Sequence, residues 1–228
     1  MSVLYIVATP IGNLKDVSLR ALEVLKEVDF ILCEDTRQTK VLLERYGIRT
    51  PMMSYHQHSR LEKTDYILSL LKQGKNLAMV SDAGTPGISD PGNKLIEEVI
   101  KKLGNAVKVE PLPGPSALLA AASVSGFPMD KFVFMGFPPQ KRKRQKFFEE
   151  VVSAKYPVIF YESPHRILKT LKELHSQYTK YEIQDTRLVV CRELTKKFET
   201  IYRGSIDEVL SELEKGEIRG EFVVIASK

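Results

Sequence analysis

The sequence predicts an α/β fold of two lobes, and three observations carry that prediction. Short apolar runs alternate with amphipathic stretches through the first half of the 228 residues, as the βα units of a mostly parallel sheet require. Loops rich in proline and glycine follow three of those runs, at 9–13, 81–92 and 111–116. In the second half two apolar runs, 187–191 and 198–203, are separated by hairpin length with no helix, so the second sheet is mixed.

Each element follows from its local pattern. Apolar residues 3–8 form the first strand, and a helix begins near Asp16 with Val17, Ala21, Val24, Leu25 and Val28 on its buried face. Further strands fall near 29–33, 51–54, 77–81 and 107–110. Leu42, Leu43 and Tyr46 give a second helix stopped by Gly47, and Leu61, Ile67, Leu68 and Leu71 a third. Asp90 reads as an N-cap and Pro91 as the first position of a fourth helix. Its apolar residues, Leu95, Ile96, Val99, Ile100 and Leu103, keep helical spacing until Gly104. An alanine-rich helix follows 111–116, the best boundary, which divides an N-terminal lobe at 1–112 from a C-terminal lobe at 113–228. The second lobe has strands near 132–136, 157–161, 187–191, 198–203 and 221–227, and a helix at 206–213 joins the last two.

Loops at the carboxyl ends of parallel strands are where open α/β sheets take their ligands. Gly84 and Gly87 permit close backbone approach there, and Asp82 places a carboxylate at a strand exit. None of the three loops matches the dinucleotide fingerprint or the P-loop, so those two functions are excluded. Apolar residues make up 43% of the chain and charged residues 28%, the balance of an ordinary globular protein. Lys+Arg number 34 against 29 for Asp+Glu, a net charge of +5 that favours a polyanionic partner. Cys33 and Cys191 lie in apolar strands without metal-ligand spacing and read as buried free thiols of a reducing compartment. The N-terminus enters a strand directly, and no apolar run is long enough to span a membrane, so a soluble cytoplasmic protein is expected.

Seven motifs occur in order across nearly the whole chain. They are TPIGN (9–13), CEDTR (33–37), SYHQH (54–58), SDAGTPGISDPG (81–92), PLPGPSA (111–117), YESPHR (161–166) and RELTKKFE (192–199). This ordered set resembles the small-subunit rRNA methyltransferases that methylate a cytidine 2′-hydroxyl of 16S rRNA, within the tetrapyrrole methylase superfamily. The resemblance implies S-adenosylmethionine (SAM) as cofactor, bound in a cleft between the lobes, with a homodimer acting on the assembled 30S subunit. Many members of that group continue beyond the strand that ends this chain, GEFVVIASK, into a small extension. If that extension grips the ribosome, affinity here must come from elsewhere. Two other readings are a tetrapyrrole or other small-molecule methyltransferase, and an RNA-binding protein that keeps the fold without turnover. TPIGN, SDAGTPG and the basic run described below argue against the former.

By resemblance, Pro10, Asp82, Ala83, Gly84, Thr85 and Ile88 hold one side of the cofactor. Ser116 and Ala117 hold another at a helix N-terminus that suits the methionine carboxylate, although small residues such as Ala120 and Ala121 equally suit tight packing. Tyr161, Glu162, Leu194 and Gly220 match positions that line the cofactor from the second lobe. Methyl transfer to a ribose hydroxyl is an in-line displacement at an activated carbon, so alignment supplies much of the acceleration and a base takes the proton. Glu162, His165 and Glu193 are the candidate bases, with Glu162 expected at a strand exit facing the ligand edge and Pro164 starting the next helix. His165 also suits a structural first-turn position. No cluster has metal spacing.

The run 140–146, QKRKRQK, holds five cations in seven residues and no acid before Glu149. Lys141, Arg142, Lys143 and Arg144 therefore suit RNA phosphates, and Arg144 or Arg142 could bind bidentately. A solvated helix face is the other reading. Arg37, Arg166 and His56, with His58 beside it, complete the expected RNA contacts. At 34–37 an acidic residue suits a ribose hydroxyl, and Asp35 or Thr36 equally suits a helix cap.

Overall fold

The computed structural model describes residues 1–56, 61–90, 92–183 and 185–228. The chain divides into two compact units, Met1–Ser116 and Ala117–Lys228.

The first unit carries strands β1 (Ser2–Val7), β2 (Phe30–Cys33), β3 (Met52–Ser54), β4 (Leu77–Met79) and β5 (Val107–Leu112). They form one parallel sheet in the order β3-β2-β4-β1-β5. Helices α1 (Leu19–Glu27), α2 (Thr36–Arg45), α3 (Leu61–Lys72) and α4 (Asn93–Leu103) connect them. Ala21 and Leu25 of α1 and Leu42 and Leu43 of α2 pack on one face, against Val7, Ile31 and Ala78. Ile67 and Leu71 of α3 and Leu95 and Val99 of α4 pack on the other, against Leu4, Leu32 and Met79. Neighbouring strands β1 and β4 thus feed helices on opposite faces. That divergence makes a topological switch point, where α/β sheets open a ligand crevice.

The second unit begins with α5 (Ala117–Val124), followed by β6 (Val133–Phe134), α6 (Arg144–Ser153), β7 (Val158–Glu162), α7 (Ile167–Lys180) and β8 (Arg187–Arg192). The chain then runs through β9 (Thr200–Gly204), α8 (Ile206–Lys215) and β10 (Phe222–Ser227). Its sheet, β6-β7-β10-β8-β9, is mixed. Only β6 and β7 are parallel, and β8 with β9 is the antiparallel pair expected from the spacing. One face packs Phe160, Val190 and Val224 against α6, α7 and α8. The other packs Ile159, Val189, Cys191 and Ile225 against Ala121 and Ala122 of α5.

Three helix starts differ from expectation. After 9–13 the chain makes a single 3-10 turn at Leu14–Asp16, and α1 begins later, capped by the Ser18 hydroxyl, which accepts from Ala21 N–H at 3.1 Å. The N-cap of α4 is Gly92, at φ 142°, and not Asp90. A side chain at Gly92 would meet the Met79 methyl at 2.6 Å, so the chain passes too close to the core for a capping carboxylate. Pro91 lies outside the described residues. Pro164 opens a turn, and α7 starts only at Ile167, after Ser163 C=O accepts from both Arg166 and Ile167 N–H. Both thiols are buried and unbridged. Among the described residues no helix is long and apolar enough to cross a membrane.

Candidate functional site

The three proline- and glycine-rich loops of the first unit are stitched into one platform at the carboxyl end of its sheet. Thr9 and Gly84 exchange backbone hydrogen bonds, at 2.9 and 3.0 Å, in an isolated antiparallel bridge. The buried Thr9 hydroxyl donates to Ser81 C=O at 3.1 Å, and Thr85 Oγ1 donates to Pro115 C=O at 3.2 Å. Ala8 N–H donates to Leu112 C=O at 3.3 Å, and a Cβ at Gly114 would lie 3.0 Å from the Ala8 methyl. Gly84 sits at φ 83°, which an L side chain rarely adopts. This is the switch-point crevice edge, built from backbone.

Of the cofactor candidates here, Asp82 and Ala83 are exposed, Pro10 and Gly84 buried, and Thr85 and Ser116 half-buried. Ile88 is 42% exposed, a large apolar side chain offered to solvent beside the platform. Asp82 Oδ1 accepts from Asp35 N–H at 2.9 Å, which orients the carboxylate. Asp35 itself caps α2, accepting from Arg37 N–H at 2.8 Å, so the capping reading of 34–37 is the one observed. Gly87, at φ 82°, is held by Asn93 Nδ2, which donates to Gly87 C=O at 2.8 Å. Thr9 and Asn93 were not among the expected site residues; a polar side chain ending an apolar strand was the available signal for Thr9.

In the second unit, strand alternation decides which residues meet. Tyr161, Ala117 and Leu194 all pack on the α5 face of the sheet. The Tyr161 ring makes edge contacts with Phe134 and Phe137, with centroids 5.0 and 5.4 Å apart. Gly220 (φ 91°) lies directly under Glu193, whose side chain fills the space a Cβ would need. Glu193 is also left-handed, at φ 52°. Its carboxylate accepts from Lys196 Nζ at 2.9 Å and Glu221 N–H at 3.0 Å. Burial pushes the Glu193 carboxyl up, but the bonds from Lys196 and Glu221, with the Lys196 and Arg192 charges, outweigh that and hold it below the ordinary value.

Glu162 corrects the expectation made for it. Two residues on from Phe160, it points to the helix-covered face, opposite Tyr161, and is 1% exposed. Its oxygens accept from Ser163 N–H at 2.7 Å, the Thr170 hydroxyl at 2.6 Å and Arg166 Nη2 at 2.8 Å. Arg144 is corrected likewise. It is not an exposed member of the basic run but 7% exposed, with Nε on Glu173 at 2.6 Å, Nη2 on Thr170 at 2.6 Å and Nη1 on Pro139 C=O at 3.1 Å. Arg166 also turns inward, to Glu162 and to Pro138 C=O at 3.1 Å, so its charge is already matched. The two arginines tie 138–139 to the YESPHR turn. Thr170 and Glu173 were missed by sequence reasoning. Thr170 was legible as a polar residue in the apolar stripe of Ile167, Leu171 and Leu174.

Lys141, Arg142 and Lys143 remain exposed, and Lys143, at φ 63°, turns the chain into α6. Arg37 is exposed and paired with Asp35, at 2.5 Å. His56 and His165 are exposed. His58 lies outside the described residues. No group of three or more His, Cys, Asp or Glu among the described residues is arranged to hold a metal.

A parallel first unit carrying a backbone-built platform, followed by a mixed second unit, is an architecture shared with solved methyltransferase structures. Solved structures agree at the level of fold. Diphthine synthase superposes with a TM-score of 0.74 at 15% identity over 100% of this chain and 90% of that one. Cobalt precorrin-4 methyltransferase, a cobalamin biosynthetic enzyme, gives 0.69 at 18% identity over 99% and 94%. The family description "Tetrapyrrole (Corrin/Porphyrin) Methylases" matches residues 3–210, and the chain belongs to that family. Among curated relatives, ribosomal RNA small subunit methyltransferase I of Thermotoga maritima is 43% identical over 100% of this chain and 99% of its own length. The protein of the same name from Bacillus subtilis is 44% identical over 99% of this chain and 75% of its own.

Proposed function

We propose that this chain is a SAM-dependent rRNA methyltransferase that transfers a methyl group to a cytidine 2′-hydroxyl in the RNA of the small ribosomal subunit. The observation that supports rRNA of the small subunit as substrate is the similarity, along 99–100% of this chain, to proteins named for that RNA. The cytidine 2′-hydroxyl is proposed from the resemblance carried by the seven ordered motifs. SAM supplies a methyl group made electrophilic by the sulfonium. The platform residues fit such a ligand: Asp82 is exposed with one oxygen fixed by Asp35 N–H, Gly84 removes side-chain bulk, and Ile88 offers an apolar surface. Pro10, Ala83, Thr85 and Ser116 belong to the same proposal, and from the second unit so do Ala117, Tyr161, Leu194 and Gly220.

Alignment of the ribose oxygen with the methyl group carries most of the acceleration, on the order of 7–11 kcal/mol in well-oriented displacements. Glu162 holds the turn at 161–166 and does not take the proton, because its oxygens are occupied by Ser163, Thr170 and Arg166. Glu193 is held by Lys196 and Glu221, which leaves the exposed His165 as the candidate to take the proton. Lys141, Arg142 and Lys143, with Arg37 and His56, are the proposed RNA contacts. The same reading places the protein in the cytoplasm, as a homodimer acting on assembled 30S particles.

Incubation with SAM and 30S subunits from a strain lacking the activity, followed by nucleoside digestion and mass spectrometry, tests this. A new 2′-O-methylcytidine is expected. Methylation confined to a base, or none, contradicts it.

A further inference from the structure

The loop between β6 and α6 presents an aromatic ring on a fixed backbone. Phe137 is 52% exposed. Its ring leans on Tyr161, with centroids 5.4 Å apart, and Tyr161 leans in turn on Phe134 at 5.0 Å. Tyr161 N–H donates to Gly136 C=O at 2.8 Å, which holds the residue before the ring. The two residues after it are prolines, whose own rings lock φ. Arg166 Nη1 donates to Pro138 C=O and Arg144 Nη1 to Pro139 C=O, each at 3.1 Å. Both guanidiniums belong to the network of Glu162, Thr170 and Glu173. A buried ionic network adds little stability over apolar packing; this one fixes the loop that carries Phe137.

A single exposed ring is ordinary, and the surroundings set this one apart. Among the described residues of the second unit, Tyr156, Tyr181 and Phe198 are also exposed, each with a lysine ammonium over its ring at 5.6, 5.0 and 5.5 Å. No cation among the described residues covers Phe137. Exposed cations begin four residues further on. Arg144 and Lys146 are paired with Glu173 and Glu150, whereas Lys141, Arg142 and Lys143 meet no carboxylate among the described residues. Four residues of chain reach no further than about 14 Å, so the open ring and the unmatched charge form one patch.

We propose that Phe137 is a stacking surface for an unpaired base of the RNA substrate, with Lys141, Arg142 and Lys143 on the phosphates beside it. The inference rests on the RNA reading above and deepens it. An aromatic face next to unmatched cations fits a single strand, whose bases carry π-faces and whose backbone carries the opposite charge. Bases closed within a duplex cannot use the ring. The pinned backbone leaves little ordering to be done on binding. Tyr161 is also a proposed cofactor contact, so a base held at Phe137 lies on the cofactor's side of the second sheet.

Two variants of the full chain test it. Phe137→Leu keeps apolar bulk against Tyr161 but removes the π-face, and Phe137→Tyr keeps both. The probe is a fluorescent single-stranded oligoribonucleotide of small-subunit sequence, titrated across a salt series. Phe137→Leu should bind it about five- to fiftyfold more weakly at every salt concentration, the worth of one stacked base, with the salt slope unchanged. Phe137→Tyr should bind it like wild type, and both variants should keep wild-type SAM affinity. On a duplex of the same sequence, Phe137→Leu and wild type should not differ. Unchanged single-strand affinity in Phe137→Leu, while Arg142→Gln/Lys143→Gln binds weakly with a flatter salt slope, overturns the stacking surface and leaves the RNA reading standing. Unchanged affinity in both, or no binding by wild type, overturns the RNA surface as well. Equal losses in the leucine and tyrosine variants, or on single strand and duplex, overturn stacking. Weakened SAM binding would assign the ring to the cofactor, and altered sedimentation would assign it to a contact between copies; either overturns the proposal.

Discussion

At the scale of the residue, Glu162 shows how a side chain's face decides its use. A carboxylate at a strand end invites a catalytic role, but β7 alternates, and Val158, Phe160 and Glu162 share the face that helices cover. Removing one partner of a buried ionic network strands the others. Glu162→Ala should therefore destabilise the protein by about 3–5 kcal/mol, read as a lowered urea midpoint, with Arg144 and Arg166 left facing each other. A midpoint equal to wild type would put Glu162 back among the candidate bases. That alternation was legible in the sequence. The inward turn of Arg144 was not: four cations stand in a row, and it is the left-handed Lys143 that sends the next side chain inside, a conformation nothing in the lysine announces. Gly84 is the converse case. Its φ of 83° and the 3.4 Å from a built Cβ to Ile11 Cγ2 mean that Gly84→Ala suffers backbone strain without a steric collision. A cost of about 1–2 kcal/mol is expected. Calorimetry should show weaker SAM binding by the folded variant; unchanged affinity would remove the platform from the cofactor site.

Elements were more readable than their ends. Strand positions follow the apolar runs closely, because burial on both faces of a parallel sheet leaves a continuous hydrophobic signature. Helix starts were displaced where tertiary contacts outweigh local capping, as at Gly92 against Met79. The turn between β8 and β9 is an element whose order depends on charge. Glu193 accepts from Lys196 and from Glu221 N–H, and its carboxyl is held below the ordinary value of 4.5. A lowered pKa contributes stability that is present above pH 4.5 and lost as pH falls through the folded value. Wild-type stability should accordingly drop more steeply on acidification than that of Glu193→Gln, measured by chemical unfolding from pH 6 downward. Parallel curves would mean that the turn does not depend on the carboxylate. Gly220→Ala should disrupt the same turn at every pH, because its Cβ would occupy the Glu193 side chain's place.

For the whole molecule, burial sets the alkaline limit of stability. Burial pushes the Cys191 thiol from 9.0 up to about 11 and the Tyr178 hydroxyl from 10.0 up to about 12. Both groups favour the folded state fully below about pH 9, and that contribution is lost as pH rises through about 11 and then 12. Native protein at pH 8 should leave Cys191 unlabelled by iodoacetamide, and unfolded protein should label it; rapid labelling of the native chain would contradict its burial. The two-unit fold, the mixed second sheet and the family were legible in the sequence because turn chemistry and ordered motifs run almost the length of the chain. The division of labour among charged residues was not, because it depends on which partners folding brings together. The most direct test of the central claim is transfer of tritium from methyl-labelled SAM, offered 30S particles, protein-free small-subunit RNA and a porphyrinoid in parallel. Label should enter RNA, best in 30S particles. Label in the porphyrinoid alone, or in no acceptor at all, would contradict the account.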